Sequence, residues 1–272
     1  MPAVLAEVLT TIDRLWPLHG AETWDAPGLV TGDPAAEISR VLFAVDAVAA
    51  TVDEAVELGA GLLIAHHPLL LRGVTTIAED RYKGALLGRL IRNDCALVAA
   101  HTNADVVERG TSAELAARLG LVEVRPIVPG ADPGLGLGRV GRLPEPTTLG
   151  RLARLLAEIL PATATGVRAS GGYDDVVETV ALCGGAGDSL LGHDTVRGAD
   201  VYITADLRHH PASEAREQAM LGGGPALIDV SHWASEWLWL DAAATELRTA
   251  HPELDVRVSE LRTDPWDFQV VQ

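Results

Sequence analysis

The sequence predicts an α/β protein made of two similar α/β domains, each a mixed sheet covered by helices. Short apolar runs typical of buried strands alternate with longer segments that carry apolar residues at helical spacing. This alternation is the pattern of a parallel or mixed sheet with helices on its faces. The polar motifs of the first half also recur in the same order in the second half, which favours a duplication.

The first half of the chain alternates predicted strands and helices. The predicted strands cover residues 41–45, 62–65 and 95–100, and the predicted helices cover residues 3–19, 51–59, 82–92 and 111–120. Thr51 with Glu54 fits the capping-box pattern of a helix start, and so does Thr111 with Glu114. Glycines at the ends of both segments are typical of residues that terminate a helix.

The second half begins after the glycine- and proline-rich stretch 129–138, the best candidate for a domain boundary. The predicted strands cover residues 176–183, 201–204, 226–230 and 256–258, and the predicted helices cover residues 148–160, 213–221 and 232–249. The predicted domains are residues 1–128 and 129–225, and segment 226–272 is expected to return to the cleft of the first domain.

The two halves share an order of motifs at their predicted strand ends. In the first half the motifs are an acidic turn at Asp46, the segment His66-His67-Pro68, and His101 with Asp105. In the second half they are the glycine-rich turn 184–189, the segment His209-His210-Pro211, and His232 with Glu236. Chance similarity is the alternative, but the common order favours two similar domains that face each other across a cleft.

Three polar segments at predicted strand ends supply possible metal ligands. The apolar run into His66 and His67 stops at Pro68, because proline removes the next ladder donor. His232 and Glu236 are four residues apart and share one face of a helix. With Asp105, these segments provide imidazole and carboxylate ligands suited to a pair of divalent ions.

Each segment taken alone also has an ordinary structural explanation. The adjacent histidines could be turn residues, His101 with Asp105 could cap a loop, and Glu236 could face the positive end of a helix. Their joint occurrence at strand ends, where α/β proteins place their chemistry, favours a metal site. The turn 184–189 could expose N–H groups to a phosphate, although a tight turn is favoured. His209 and His210 could be ligands, could support them, or could contact substrate.

Composition excludes several classes of function. The formal net charge of −17 argues against nucleic-acid or anionic-membrane binding driven by bulk charge. Cys95 and Cys183 lie in apolar runs and are expected to be buried thiols, which favours the reducing cytoplasm. No apolar run is long enough to span a bilayer, and the first residues lack a signal-peptide pattern.

In these motifs the chain resembles the Nif-three-like family of dinuclear-metal-centre hexameric proteins, often labelled GTP cyclohydrolase 1 type 2 homologues. The matching residues are Trp24-Asp25, Gly28-Leu29, Gly32-Asp33, His66-His67-Pro68, His101-Thr102-Asn103, Asp105, Gly184-Gly185, Gly187-Asp188-Ser189, Thr204, Asp206, His232 and Glu236. They span nearly the whole chain.

The resemblance implies a specific site and assembly. The metal ligands would be His66, His67, Asp105, His232 and Glu236, and Asp105 or Glu236 would bridge two divalent ions per subunit. Zn, Fe, Mn and Co all accept such ligands. The resemblance also implies a toroidal homohexamer, a trimer of dimers, whose metal pairs would face an internal cavity. Core or subunit packing explains Trp233, Trp237 and Trp239 more simply than cofactor stacking does, and exposed helix faces bearing them would fit such subunit contacts.

Two functions follow from these expectations. A carboxylate-bridged metal pair can lower the pKa of a bound water and stabilise an oxyanion. This predicts a metal-dependent hydrolase acting on a small molecule, for which a nucleotide is one candidate. His101 and His210 are the candidate general acids, and His101 is preferred because it shares a short loop with Asp105. The alternative is a non-catalytic metal-binding ring protein that acts through protein partners.

Overall fold

The computed structural model describes residues 2–130, 132 and 135–271. The strands are β1 (Ala3–Val4), β2 (Gly28–Thr31), β3 (Glu37–Ile38), β4 (Arg40–Ala44), β5 (Leu62–Ala65), β6 (Ala96–Ala99), β7 (Val122–Arg125), β8 (Val128–Pro129), β9 (Gly136–Leu137), β10 (Arg139–Thr148), β11 (Arg168–Ser170), β12 (Val176–Ala186), β13 (Val201–Ala205), β14 (Ala226–Val230) and β15 (Asp255–Val258). The α-helices are α1 (Leu5–Leu15), α2 (Ala49–Glu57), α3 (Tyr82–Arg92), α4 (Thr102–Asp105), α5 (Thr111–Arg118), α6 (Leu149–Ile159), α7 (Asp194–Arg197), α8 (His209–Met220) and α9 (His232–Ala250). The predicted α/β fold class is confirmed.

Contacts between Cα atoms divide the described chain into two compact units. Unit 1 contains residues 2–107 and Leu240–Thr263, and unit 2 contains Glu108–Trp239 and residues 264–271. The domain ranges predicted from the sequence, with their break after residue 128, stay a prediction about folding units. The contacts place α5 and β7 in unit 2, where β7 pairs with β10. Within the proposed boundary stretch, residues 131, 133 and 134 lie outside the described residues.

The main sheet of unit 1 has the strand order β15-β4-β5-β6-β2. The first four strands are parallel, and β2 pairs antiparallel with β6 at one edge. Strands β5 and β6 are buried along their whole length, which explains why their sequences are continuous apolar runs. Because β4, β5 and β6 are parallel neighbours, the residues that follow their carboxyl ends come together at one edge of the sheet.

The main sheet of unit 2 has the strand order β11-β14-β13-β12-β10-β7. Strands β12, β13 and β14 are parallel, whereas β11 and β10 pair antiparallel on either side of them. A buried apolar cluster that includes Val140, Ala181, Tyr202 and Leu227 stabilises this sheet. The carboxyl ends of β13 and β14 are neighbours, so the residues after these two strands also meet.

The two sheets share the arrangement of four strands. Three parallel strands occur in chain order, and a further strand pairs antiparallel beside the third of them. The order is β4-β5-β6-β2 in unit 1 and β12-β13-β14-β11 in unit 2. This common topology agrees with the duplication expected from the sequence.

The second His-His-Pro segment does not occupy the place that the repeat predicted. His66 follows β5 directly, whereas the residue that directly follows β13 is Asp206. His209 is the first residue of α8, which was expected to begin only at residue 213. Pro211 is compatible with this earlier start because the first turn of a helix does not need its N–H donor.

Other sequence-based boundaries also differ from the structure. Strand β10 was not predicted because Pro144 and Pro146 interrupt its pattern, and its pairing with β12 is irregular between Arg142 and Thr147. Helix α2 begins before Thr51, whose hydroxyl accepts a hydrogen bond from the Val48 N–H at 3.1 Å.

The tryptophans of α9 do not form an exposed face. Trp239 is fully buried and Trp233 is 5% exposed, so the expectation that they are available for subunit contacts is wrong. Core packing, one of the two explanations expected, accounts for both residues, and Trp237 is only partly buried. Within the described part of the chain, no helix is long and apolar enough to cross a membrane.

Candidate metal site

Unit 1 contains a cluster of three histidines at the carboxyl edge of its sheet. His66 and His67 follow β5, and His101 lies just beyond β6 at the start of α4. One ring nitrogen of each histidine lies within 4.8 Å of those of the other two. The single turn of α4 brings Asp105 back to the cluster, with its Oδ1 3.6 Å from Nε2 of His66. These four residues could hold a metal ion.

Hydrogen bonds orient the two histidines after β5. Nδ1 of His66 lies 2.7 Å from the carbonyl oxygen of Ala100. Because a carbonyl only accepts, this nitrogen carries a proton, and in the neutral ring Nε2 is then the nitrogen with the lone pair. Nδ1 of His67 lies 2.7 Å from Oδ1 of Asp46, and the other oxygen of Asp46 accepts from the Thr263 hydroxyl. Such partners fix the tautomer and the ring orientation of histidines that bind metals.

His101 is oriented in the same way by a buried carboxylate. Its Nδ1 lies 2.9 Å from Oδ1 of Asp25, whose Oδ2 accepts from the Thr102 backbone N–H at 3.0 Å. Burial and the neighbouring His66 lower the pKa of His101, although Asp25 and Asp105 oppose this shift. His101 is therefore neutral at neutral pH, the form in which imidazole binds metals.

Unit 2 contains a second group, formed by residues after β13 and β14. Nδ1 of His232 lies 2.7 Å from Oδ2 of Asp206, and Nε2 lies 2.9 Å from Oε1 of Glu236. Burial alone would lower the pKa of His232, but the charge of Glu236 and hydrogen bonds to both carboxylates raise it to about 11. In the absence of a metal ion, His232 therefore stays protonated at neutral pH, and its positive charge faces the two carboxylates.

Gly185 makes room for the group in unit 2. Its φ of +68° is a left-handed conformation, and a Cβ at this position would collide with the Glu236 carboxylate. The N–H groups of Gly184 and Gly185 donate to the hydroxyls of Ser112 and Ser235. They are thus used within the protein, which argues against the phosphate-binding alternative for this segment. Its glycines instead allow the close approach of Glu236.

Every residue proposed for the site lies within the described part of the chain. His66, His67, Asp105 and His101 lie together in unit 1, and His232 lies with Glu236 in unit 2. His209 and His210 are exposed at the start of α8 with ring centroids 5.3 Å apart, and neither joins a ligand cluster in the described part of the chain. The role of His210 as a general acid stays a prediction.

Three carboxylates that orient these histidines were not among the site residues predicted from the sequence. Asp25, Asp46 and Asp206 each accept a hydrogen bond from the Nδ1 of one histidine. A signal was present, since Asp46 follows β4 and Asp206 directly follows β13. Imidazole nitrogens and carboxylate oxygens fit a divalent ion of intermediate hardness. The carboxylates that accept hydrogen bonds from Nδ1 are the partners that such metal-binding histidines usually have.

Comparisons with known proteins identify the family of this chain. The model of the Duf34/NIF3 (NGG1p interacting factor 3) family matches residues 3–265. A Streptomyces coelicolor protein described as a GTP cyclohydrolase 1 type 2 homolog is 52% identical over 98% of this chain and 94% of its own length. A Mycobacterium bovis protein with the same description is 37% identical over 98% of both chains.

Solved structures show the same fold. The crystal structure of a Bacillus cereus protein related to NIF3 has a TM-score of 0.90 and 25% identity, and covers 98% of this chain and 99% of that chain. A Staphylococcus aureus hypothetical protein has a TM-score of 0.88 and 28% identity, and covers 99% of this chain and 100% of its own. The chain therefore belongs to the Duf34/NIF3 family.

Proposed function

We propose that this protein is a dinuclear-metal-binding hydrolase that acts on a small, nucleotide-like substrate. One observation carries the proposal: the proposed ligands His66, His67 and His232 all place Nδ1 within 3 Å of an oxygen acceptor. This arrangement makes Nε2 the ligating atom of each ring. The description of the relatives as GTP cyclohydrolase 1 type 2 homologs supports the choice of substrate class.

The proposed metal ligands are His66, His67, Asp105, His232 and Glu236, and the proposed content is two divalent ions per subunit. Family resemblance supports this set, and the oriented imidazoles described above support it independently. Five ligands are too many for one tetrahedral ion with an open position, and they suit two ions that share a carboxylate.

Divalent ions in such a site supply Lewis acidity, which activates water and polarises a substrate oxygen. The residues of the chain itself hold the ligands and manage protons. Asp25, Asp46 and Asp206 keep the imidazoles in one tautomer. Neutral His101 can accept a proton during the reaction and return it to the leaving group, as the general-acid role requires.

Metal content tests the ligand assignment. Protein purified without a histidine tag is expected to approach two metal ions per chain by elemental analysis. The double variant His232→Ala/Glu236→Ala is expected to lose at least one of them. The matched control His209→Ala/His210→Ala removes two exposed histidines from unit 2 and is expected to keep both ions. Full metal retention in the first variant would contradict the assignment.

Turnover tests the hydrolase function. A panel of nucleotides and related metabolites, screened with defined metals, is expected to reveal a metal-dependent hydrolysis that Asp105→Ala abolishes. A protein partner that binds equally well to metal-loaded and metal-free protein, with no turnover on the panel, would instead favour the non-catalytic ring protein.

We also propose the assembly and location that the family resemblance implies. The assembly is a homohexamer, a trimer of dimers, and light scattering at micromolar concentration tests it directly. A stable monomer would contradict this proposal. The location is the cytoplasm, which is consistent with Cys95 and Cys183 being buried thiols that form no disulfide.

A further inference from the structure

Trp24 presents an indole ring to solvent beside the histidine cluster of unit 1. The residue is 59% exposed. Its ring centroid lies 5.9 Å from that of His101, with the two planes at 78°. The His101 ring in turn lies 5.3 Å from the ring of His66. A large part of the indole surface is therefore open next to the candidate ligands.

The backbone around Trp24 is held in place by hydrogen bonds. The side chain of Asp25 is fully buried and bonded to both His101 and Thr102. On the other side of Trp24, the N–H of Glu22 donates to the Thr102 hydroxyl at 3.0 Å. The indole is thus carried by a turn tied to the same residues that orient the site. Such preorganisation lowers the entropic cost of binding a ligand.

Aromatic residues are scarce in this chain, at 4% of the sequence. Trp16 and Trp239 are fully buried, as expected for the largest apolar side chain. Trp266 matches Trp24 in exposure at 60% but lies in the C-terminal segment, outside the helices and strands. An exposed indole on an anchored turn beside an oriented ligand cluster is the arrangement expected of a ligand contact.

We propose that Trp24 is the stacking platform for a planar heteroaromatic ring of the substrate. The inference rests on the proposed function and specifies its substrate class. The substrate has a flat ring that lies on the indole, and its reacting group reaches the His66, His67 and His101 cluster. Stacking on an aromatic side chain tolerates different planar rings, so Trp24 would favour a class of molecules. Other contacts would determine which member of that class binds best.

The test uses two probes that share a ribose 5-phosphate group: guanosine 5′-monophosphate, which carries a planar purine base, and ribose 5-phosphate, which carries none. Their dissociation constants are measured by calorimetry on the full chain, with and without bound divalent metal. Trp24→Ala is expected to weaken guanosine 5′-monophosphate binding by about tenfold or more, and to leave ribose 5-phosphate binding unchanged. Trp24→Phe keeps an aromatic face and is expected to stay within about threefold of wild type.

Trp266→Ala is the matched control, because it removes an equally exposed tryptophan from outside the cluster. It is expected to bind both probes like wild type. Equal affinity of wild type and Trp24→Ala for guanosine 5′-monophosphate would overturn the inference. The inference would also fail if the wild-type protein bound neither probe. It would fail as well if Trp24→Ala changed the oligomeric mass and Trp24→Phe did not restore guanosine 5′-monophosphate binding.

Metal content separates this inference from the proposed function. Tryptophan offers no ligand atom, so every Trp24 variant is expected to keep the metal content of wild type. If the wild-type protein binds no metal and turns over nothing on the panel, the hydrolase proposal fails while ring binding can still depend on Trp24. If the protein binds metal but its affinity for guanosine 5′-monophosphate is unchanged in Trp24→Ala, only the present inference fails.

Discussion

Oδ1 of Asp25 lies 2.9 Å from Nδ1 of His101, although 76 residues separate them in sequence. The same carboxylate accepts hydrogen bonds from the hydroxyl and the backbone N–H of Thr102. It thereby joins the loop before β2 to the start of α4. This one buried side chain links the stability of unit 1 to the orientation of a candidate site residue.

Asp25→Asn is expected to destabilise the protein at pH 7 by about 1–3 kcal/mol, because an amide cannot accept all of these bonds. Burial would raise the pKa of Asp25, but hydrogen bonds from Thr102 and His101 outweigh this effect and lower the pKa below its usual value. A lowered folded-state pKa means that the stabilisation is present above the unfolded-state pKa and is lost as pH falls through the folded-state pKa.

Urea unfolding from pH 7 to pH 2.5 measures this effect. The stability difference between wild type and Asp25→Asn is expected to shrink once the pH falls below about 4. Asp80→Asn, at an exposed carboxylate, is the control and is expected to stay within about 0.5 kcal/mol of wild type. A difference that grows as the pH falls would contradict the assignment.

His101→Gln separates two roles of this histidine. If His101 is a general acid, metal content stays near wild type while kcat falls about a hundredfold or more on the substrate that the panel identifies. Loss of metal would show that His101 holds or supports an ion, as its nearness to His66 and His67 allows. His209→Gln, at an exposed histidine, is expected to change neither quantity. If His101→Gln keeps both the metal content and the kcat of wild type, His101 has no role in metal binding or in the reaction.

Thr11→Val tests a buried hydrogen-bond chain in unit 1. The Thr11 hydroxyl lies 2.9 Å from Nε2 of His251, whose Nδ1 lies 2.9 Å from Oε1 of Glu253. Valine keeps the shape but leaves a buried imidazole nitrogen without this partner, so a loss of about 1–2 kcal/mol is expected. Denaturant unfolding of Thr11→Val and of its exposed neighbour Thr10→Val measures the difference. Equal effects of the two substitutions would contradict a stabilising role for the hydrogen bond between Thr11 and His251.

Cys95 is expected to resist thiol reagents in the folded protein. Burial raises its pKa to about 11, so only about a thousandth of this thiol is ionised at pH 8. Labelling with iodoacetamide is expected to proceed only as fast as the protein unfolds. Leu221→Cys, at a residue 84% exposed, provides a thiol that should react at once. Rapid labelling of Cys95 under native conditions would show that unit 1 opens locally.

Local patterns in the sequence determined much of the fold and the candidate ligands. The apolar runs of β4, β5 and β6 predicted buried strands, because strands covered on both faces carry no alternation. The polar residues directly after such strands predicted where the ligands lie. The four-residue spacing of His232 and Glu236 predicted their pairing on one helical turn, since helical spacing is a local property.

Tertiary structure alone decided how the ligands are oriented. The carboxylates that fix His67 and His232 lie 21 and 26 residues away in sequence, and sheet pairing brings them into contact. A linear pattern does not encode such partners, because they depend on which strands are neighbours and in what register. For the same reason the sequence did not reveal that Asp206 contacts His232, or that Gly185 gives the Glu236 carboxylate its space.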